Sequence, residues 1–144
     1  MQNMPITFKI IEPANINSIM PLMLKLTERK TSEAVLKQRF AEMVTQNYEC
    51  AAIFDRDRLI GIAGMWFCTR HYSGRSVELD HVFIEDGYRK KGLGKQFMKI
   101  IYDYVTQKGY QAIELNTYVQ NYPSHKFYYN EGFEILGFHF LKKL

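Results

Sequence analysis

The chain has 144 residues, 47% of them hydrophobic and 15% aromatic, with a formal net charge of +4. That length suits one domain, residues 1–144, with a core large enough to need no staples, and no apolar run approaches the length of a membrane-spanning helix. The charge is modest and its densest basic cluster falls on a single glycine-containing loop, which speaks against a nucleic-acid surface.

The first residues hold no basic stretch followed by an apolar one, so no secretory signal is expected. Cys50 and Cys68 lack CxxC spacing and read as reduced core residues of a cytoplasmic protein. His71, His81, His125 and His139 show no metal-ligand spacing, so no metal site is expected.

Residues 6–11 alternate as a strand that Pro13 closes. Asn15 is placed to cap a first helix with Ile16, Ile19, Met20, Met23 and Leu24 on its apolar face. Pro21 removes a backbone donor within it, which predicts a kink or a broken first turn. Thr31 or Ser32 starts a second helix with Leu36, Phe40 and Met43 at i, i+4 and i+7. Strands follow at 48–54 and 58–67, joined by the polar Asp55-Arg56-Asp57-Arg58 connection. Gly61 and Gly64 within the third strand predict a bulge or a close backbone approach.

A fourth strand, 75–84, feeds Tyr88-Arg89-Lys90-Lys91-Gly92-Leu93-Gly94-Lys95, which opens an amphipathic helix carrying Leu93, Phe97, Ile100, Ile101 and Tyr104. A strand turning through glycine into a helix N-terminus makes an anion site. The first helical N–H groups lack intrahelical partners, and the dipole adds partial positive charge there. Arg89, Lys90, Lys91 and Lys95 add full charges suited to a ligand with several phosphates. The loop fits neither the Walker pattern nor the dinucleotide fingerprint. Lys108-Gly109 ends the helix, a strand covers 110–117, a short helix lies near 123–130, and Gly132-Phe133 begins a final hairpin running to Leu141.

The loop's Arg-x-x-Gly-x-Gly resembles the coenzyme A pyrophosphate loop of the GNAT-type N-acetyltransferases. A second stretch, from Leu115 to Phe133, resembles that family's other signature, with Asn121, Ser124, Phe127, Tyr128, Gly132 and Phe133 in register. Ser124 stands where the family usually has Ala. The element order β-α-α-β-β-β-α-β-α-β-β also matches: an α/β (α+β) single domain with a mixed, mostly antiparallel sheet and helices on both faces.

The resemblance implies an acetyl-CoA-dependent enzyme acting on an amine by direct attack, the acceptor being a small molecule or a protein. The backbone from Arg89 to Lys95 would hold the pyrophosphate. A bulge near Val82, Phe83 and Ile84 would open the fourth strand from the fifth, leaving an edge for the pantetheine arm and an amide for the thioester carbonyl. Asn121 would contact the cofactor arm, with Ser124 beside it. Tyr128 would protonate the departing thiolate, or else pack a short amphipathic helix.

Glu78 falls where some members carry a carboxylate base. Glu78 and Asp80 share a face of the strand, with His81 expected on the other. Both acids also read as polar positions alternating with Val77 and Leu79. Neither cysteine lies beside the signatures, so no covalent acyl-enzyme is expected. A non-catalytic coenzyme A sensor on the same fold is the alternative. The aromatic residues of the final hairpin (Phe133, Phe138, Phe140) suit a homodimer or the core equally.

Overall fold

The computed structural model describes residues 5–89 and 91–144. In chain order it forms β1 (Ile6–Ile10), a 3-10 turn (Pro13–Ile19), α1 (Met20–Leu26) and α2 (Glu33–Met43). Then come β2 (Tyr48–Asp55), β3 (Arg58–Arg70), β4 (Gly74–Ile84), a second 3-10 turn (Asp86–Tyr88), α3 (Leu93–Gln107), β5 (Ala112–Leu115) and α4 (Tyr122–Asn130). The strands lie in the order β1-β2-β3-β4-β5. β1 through β4 pair antiparallel, and β5 pairs parallel to β4. Short hairpins make β2, β3 and β4 antiparallel neighbours, β2 returns antiparallel to β1 after the α1 and α2 helices, and the α3 crossover brings β5 back parallel to β4.

Local chemistry sets most element ends. Pro21 sits in the first turn of α1, where its missing N–H costs nothing, and the preceding residues tighten into the 3-10 turn instead. This is the broken first turn that Pro21 predicts. Asn15 does not cap it; the cap position is Glu12, with no side-chain bond, and Asn15 lies inside the turn. Ser32 caps α2 by accepting the Val35 N–H at 3.2 Å. Gly109, at φ 86°, follows α3 as expected.

The sheet divides the interior into two clusters. On one side α3 buries Leu93, Phe97, Met98, Ile101 and Val105 against Val77, Leu79 and Met65, with Phe127 and Tyr128 of α4 packed at the margin. On the other, α1 and α2 bury Met20, Met23, Leu36 and Phe40 against Tyr48, Cys50 and Ile62. The methionines are core residues, as their helical spacing indicates. Cys50 is buried and burial pushes its thiol pKa up to about 12, while Cys68 is only half-buried; both are free.

The order expected from sequence holds from β1 through α4, but the closing hairpin is not formed. Gly132 (φ 96°) and the Phe133 N–H, which donates to the Tyr128 carbonyl, close α4. Residues 134–144 then run without helix or strand. Among the described residues no helix is long and apolar enough to cross a membrane.

Candidate active site

The site begins with a defect in β4. Ile62 faces Phe83 and Gly64 faces Asp80, so the single residue Ala63 stands opposite both His81 and Val82. This bulge has His81 at φ 34°, a conformation rare outside glycine. Its effect is to reset which face each side chain takes. Val77, Leu79, Val82 and Ile84 all belong to the α3 cluster, whereas Phe83 packs with the α1/α2 cluster.

His81 therefore does not oppose Asp80 across the strand as regular alternation predicts. Its ring lies among Phe40 and Tyr48, at centroid distances of 5.3 and 5.7 Å, and its Nε2 hydrogen-bonds the Tyr48 hydroxyl. Gly64 makes room for it: a Cβ there would sit 2.2 Å from His81 Nε2. Burial lowers the His81 pKa to about 4, against partial opposition from the Asp80 carboxylate. Burial likewise drives the Tyr48 hydroxyl far above its ordinary pKa. His81 is thus a neutral packing residue.

Beyond the pairs Ser76–Ala112 to Leu79–Leu115, β4 continues to Ile84 with no β5 partner. Amides alternate along a strand, so some N–H groups in 80–84 point to where β5 would have been. The bulge expected near Val82 to Ile84 falls at His81-Val82, and the β4–β5 pairing ends just before it, at Leu79–Leu115.

The glycine loop meets this opening. Gly92 caps α3 at φ 72° with no side-chain bond, so among the described residues the first N–H groups of the helix, at Leu93, Gly94 and Lys95, have no side-chain cap. Gly92 and Lys95 are exposed, while Leu93 is buried and anchors the helix. A Cβ on Gly94 would contact Phe127 at 3.5 Å and Ile84 at 3.8 Å, so the helix start, the end of β4 and α4 converge. Lys91 lies over the Tyr88 ring at 5.9 Å. Arg89 is turned back: Nε donates to the Ile84 carbonyl at 2.7 Å and its guanidinium pairs with Asp86 at 2.6 Å. It braces the turn. Lys90 lies outside the described residues.

On α4, the Asn121 side chain accepts the Ser124 N–H at 3.3 Å and so caps the helix. Tyr128 is half-buried between Phe127 and Phe133, with centroids at 5.2 and 5.5 Å, and burial raises its hydroxyl pKa. Tyr129 is exposed.

The carboxylates occupy the α1/α2 side of the sheet. Glu78 receives the Asn116 Nδ2 at 3.1 Å and has Arg70 at 3.8 Å. Its register partner on β5 is Glu114, which binds Arg70 Nε at 3.2 Å and the Tyr72 hydroxyl at 2.7 Å. Arg70 thus offsets two like charges that the parallel pairing sets side by side. Asp80 accepts the His81 N–H at 2.8 Å and the Trp66 Nε1–H at 3.3 Å, which braces the bulge. Sequence reasoning missed Trp66, Tyr72, Glu114 and Asn116 here. Only the strand register shows that Glu78 and Glu114 are neighbours. Among the described residues no group of acidic, histidine and cysteine side chains could hold a metal ion.

The bulged strand, its parting from the parallel neighbour and the glycine-opened helix start beside it are the frame that the resemblance to the GNAT acetyltransferases implies. The chain belongs to the acetyltransferase (GNAT) family, whose sequence model matches residues 16–133. No curated protein matches it in sequence. Among solved structures it is similar to an aminoglycoside N-acetyltransferase in complex with CoA, at TM-score 0.83 and 16% identity, covering 99% of this chain and 97% of that one. It is also similar to a ribosomal-protein-alanine N-acetyltransferase from Brucella melitensis biovar Abortus (TM-score 0.78, 13% identity, 96% and 99% covered). A GNAT family acetyltransferase of Staphylococcus aureus is a third (TM-score 0.75, 20% identity, 96% and 98% covered). At these identities the likeness is one of fold.

Proposed function

We propose that the protein transfers an acetyl group from acetyl-CoA to a primary amine by direct attack within a ternary complex. The observation that carries this reading is the convergence of the uncapped α3 start with the β4 edge that β5 leaves unpaired. The residues fit a pyrophosphate ester. The N–H groups of Leu93, Gly94 and Lys95, without a partner among the described residues, suit its oxygens, the αL glycine at position 92 lets them approach, and the Lys91 and Lys95 ammonium groups balance their charge. Arg89 and Asn121 support this cradle by bracing the turn and capping α4, and Ser124 starts that helix beside the arm. Acetyl-CoA, when bound, supplies the activated thioester.

The unpaired amides of 80–84 would take the pantetheine arm. A Phe83 or Ile84 N–H would stabilise the oxyanion as the amine nitrogen attacks the carbonyl carbon. Glu78, facing the α1/α2 side, takes the proton that the attacking ammonium must lose, directly or through water. Its neighbours Asn116 and Arg70 are donors, which suits an ionised acceptor. Asp80 is spent on the bulge and positions β4. As the C–S bond breaks, Tyr128 donates its proton to the thiolate. At the ordinary phenol pKa of about 10 a tyrosine is already a weaker acid than a thiol of pKa about 8.5, and burial raises the Tyr128 hydroxyl further. It therefore shares the proton as the bond breaks rather than giving it up ahead of cleavage.

Glu78, Asp80 and Glu114 on the acceptor side favour a cationic amine, carried by a small molecule or a protein. The reducing cytoplasm suits the two free thiols. Thermal shifts with acetyl-CoA, coenzyme A and ATP test the cofactor, since a native-state ligand raises the midpoint by mass action. Coenzyme A release over a panel of amines tests the reaction. No shift with acetyl-CoA sinks the reading of the loop. A shift without turnover on any amine leaves only a binding module.

A further inference from the structure

Tyr48, Trp66, Glu78 and Glu114 stand in one row across the α1/α2 face of the sheet, as register partners on β2, β3, β4 and β5. The row ends in two carboxylates, and Arg70, from the end of β3, reaches both. It divides itself unequally between them. Its Nε donates to Glu114 Oε1 at 3.2 Å, whereas its Nη2 stands 3.8 Å from Glu78 Oε2, outside hydrogen-bond distance. Nε and Nη2 form one edge of the guanidinium, the edge that grips a single carboxylate with two parallel bonds. Here that grip is split.

Glu114 is satisfied on both oxygens, since the second takes the Tyr72 hydroxyl at 2.7 Å. Glu78 is satisfied on one alone, by Asn116 Nδ2 at 3.1 Å. Among the described residues nothing donates to Glu78 Oε2 within hydrogen-bond distance, and the Glu78 side chain is 29% exposed. The β3–β4 hairpin does not need Glu114 to keep its place. The Gln111 N–H donates to the Arg75 carbonyl at 2.8 Å, the Gln111 side chain accepts the Arg75 N–H at 3.3 Å, and Arg70 pairs with Gly74 at the end of the ladder.

We propose that Glu114 is a positioning residue: it draws the Arg70 guanidinium aside and so leaves Glu78 Oε2 open to the acceptor. This rests on the proposed acetyl transfer with Glu78 as the base. An arginine closed on both Glu78 oxygens would occupy the lone pair that must take the ammonium proton, and would repel the incoming cation. With Arg70 held by Glu114, the open oxygen takes that proton and the neutral amine is free to attack. The shared guanidinium meanwhile offsets the repulsion between the two carboxylates.

Turnover and a variant structure test it together. Glu114→Ala should lower kcat/KM by about tenfold or more, because Arg70 then closes on Glu78. Adding Arg70→Met, which keeps an apolar stem but has no donor, should recover most of that loss. A Glu114 that only stabilised the fold, or that touched the acceptor itself, gives no such recovery, so a double variant as slow as Glu114→Ala overturns the proposal. The crystal structure of Glu114→Ala reads the geometry without turnover. Arg70 Nε and Nη2 should each lie about 2.8 Å from a Glu78 oxygen. An Arg70 turned to solvent, or still beyond hydrogen-bond distance of Oε2, overturns the proposal too. Unchanged turnover in Glu114→Ala, with Glu78→Gln slowed, overturns the positioning role alone. Wild-type turnover in Glu78→Gln removes the base assignment and the positioning role with it.

Discussion

The buried His81 ring makes folding stability depend on acid in a defined window. Its pKa is about 4 in the folded protein against an ordinary 6.5, so the native state holds it neutral while the unfolded chain protonates readily. The depressed value means that the stabilisation is complete above about pH 6.5 and is lost as pH falls toward 4. With one pKa unit worth about 1.4 kcal/mol, the total is about 3 kcal/mol, of which roughly 2 kcal/mol disappears between pH 7 and pH 5. The assay is urea unfolding at several pH values on wild type and His81→Asn. Asparagine tolerates the positive φ at this position and does not titrate, so the variant reports every other group. The difference in slope between the two, rather than the variant's own stability, is the quantity of interest. If both lose the same stability between pH 7 and pH 5, the ring is not held neutral by burial and the reasoning fails.

Tyr128→Phe should lower kcat by about two orders of magnitude with KM little altered, as expected for an acid that acts at C–S cleavage. An unchanged kcat would return Tyr128 to packing alone. Glu78→Gln should cut kcat/KM by ~10–100-fold near neutral pH. An unchanged kcat/KM would assign the base to another group. Gly92→Ala places a Cβ at φ 72°, which costs about 1 kcal/mol of strain, and should weaken coenzyme A in calorimetry more than it lowers the melting point. Gly64→Ala drives a methyl into the His81 ring and its bond to Tyr48, and about 2–4 kcal/mol of stability should be lost in denaturant titration.

Elements whose boundaries rest on local chemistry were legible in the sequence. Ser32 caps α2, Pro21 begins α1, Gly109 ends α3, and the basic loop lies between β4 and α3 as the pattern requires. The sidedness of β4 was not. Counting alternate residues works only along a regular ladder, and the φ of 34° at His81 shifts the count by one. His81 therefore falls on the side of Asp80, and Phe83 parts from Val82 and Ile84. Gly64 did carry a trace of this, since glycine in a strand marks a close approach. The pairing of Glu78 with Glu114 needs the parallel register, which no local pattern encodes. The last apolar segment shows a strand-like alternation, but alternation says only that a strand would suit those residues. It does not say which edge receives them.

The two clusters on either side of the sheet share almost no side chains, and β4 is the wall between them. One holds the helix start and α4; the other holds the layer of Met20, Leu36 and Phe40. Changes of shape in that second layer need not be transmitted to the glycine loop, because the intervening backbone is fixed by its own ladder and by the carboxylate of Asp80. The molecule is in this sense two half-sites glued back to back. Under the proposed acetyl transfer, a library of substitutions in α1 and α2 would search new acceptor shapes while the glycine loop stays as it is.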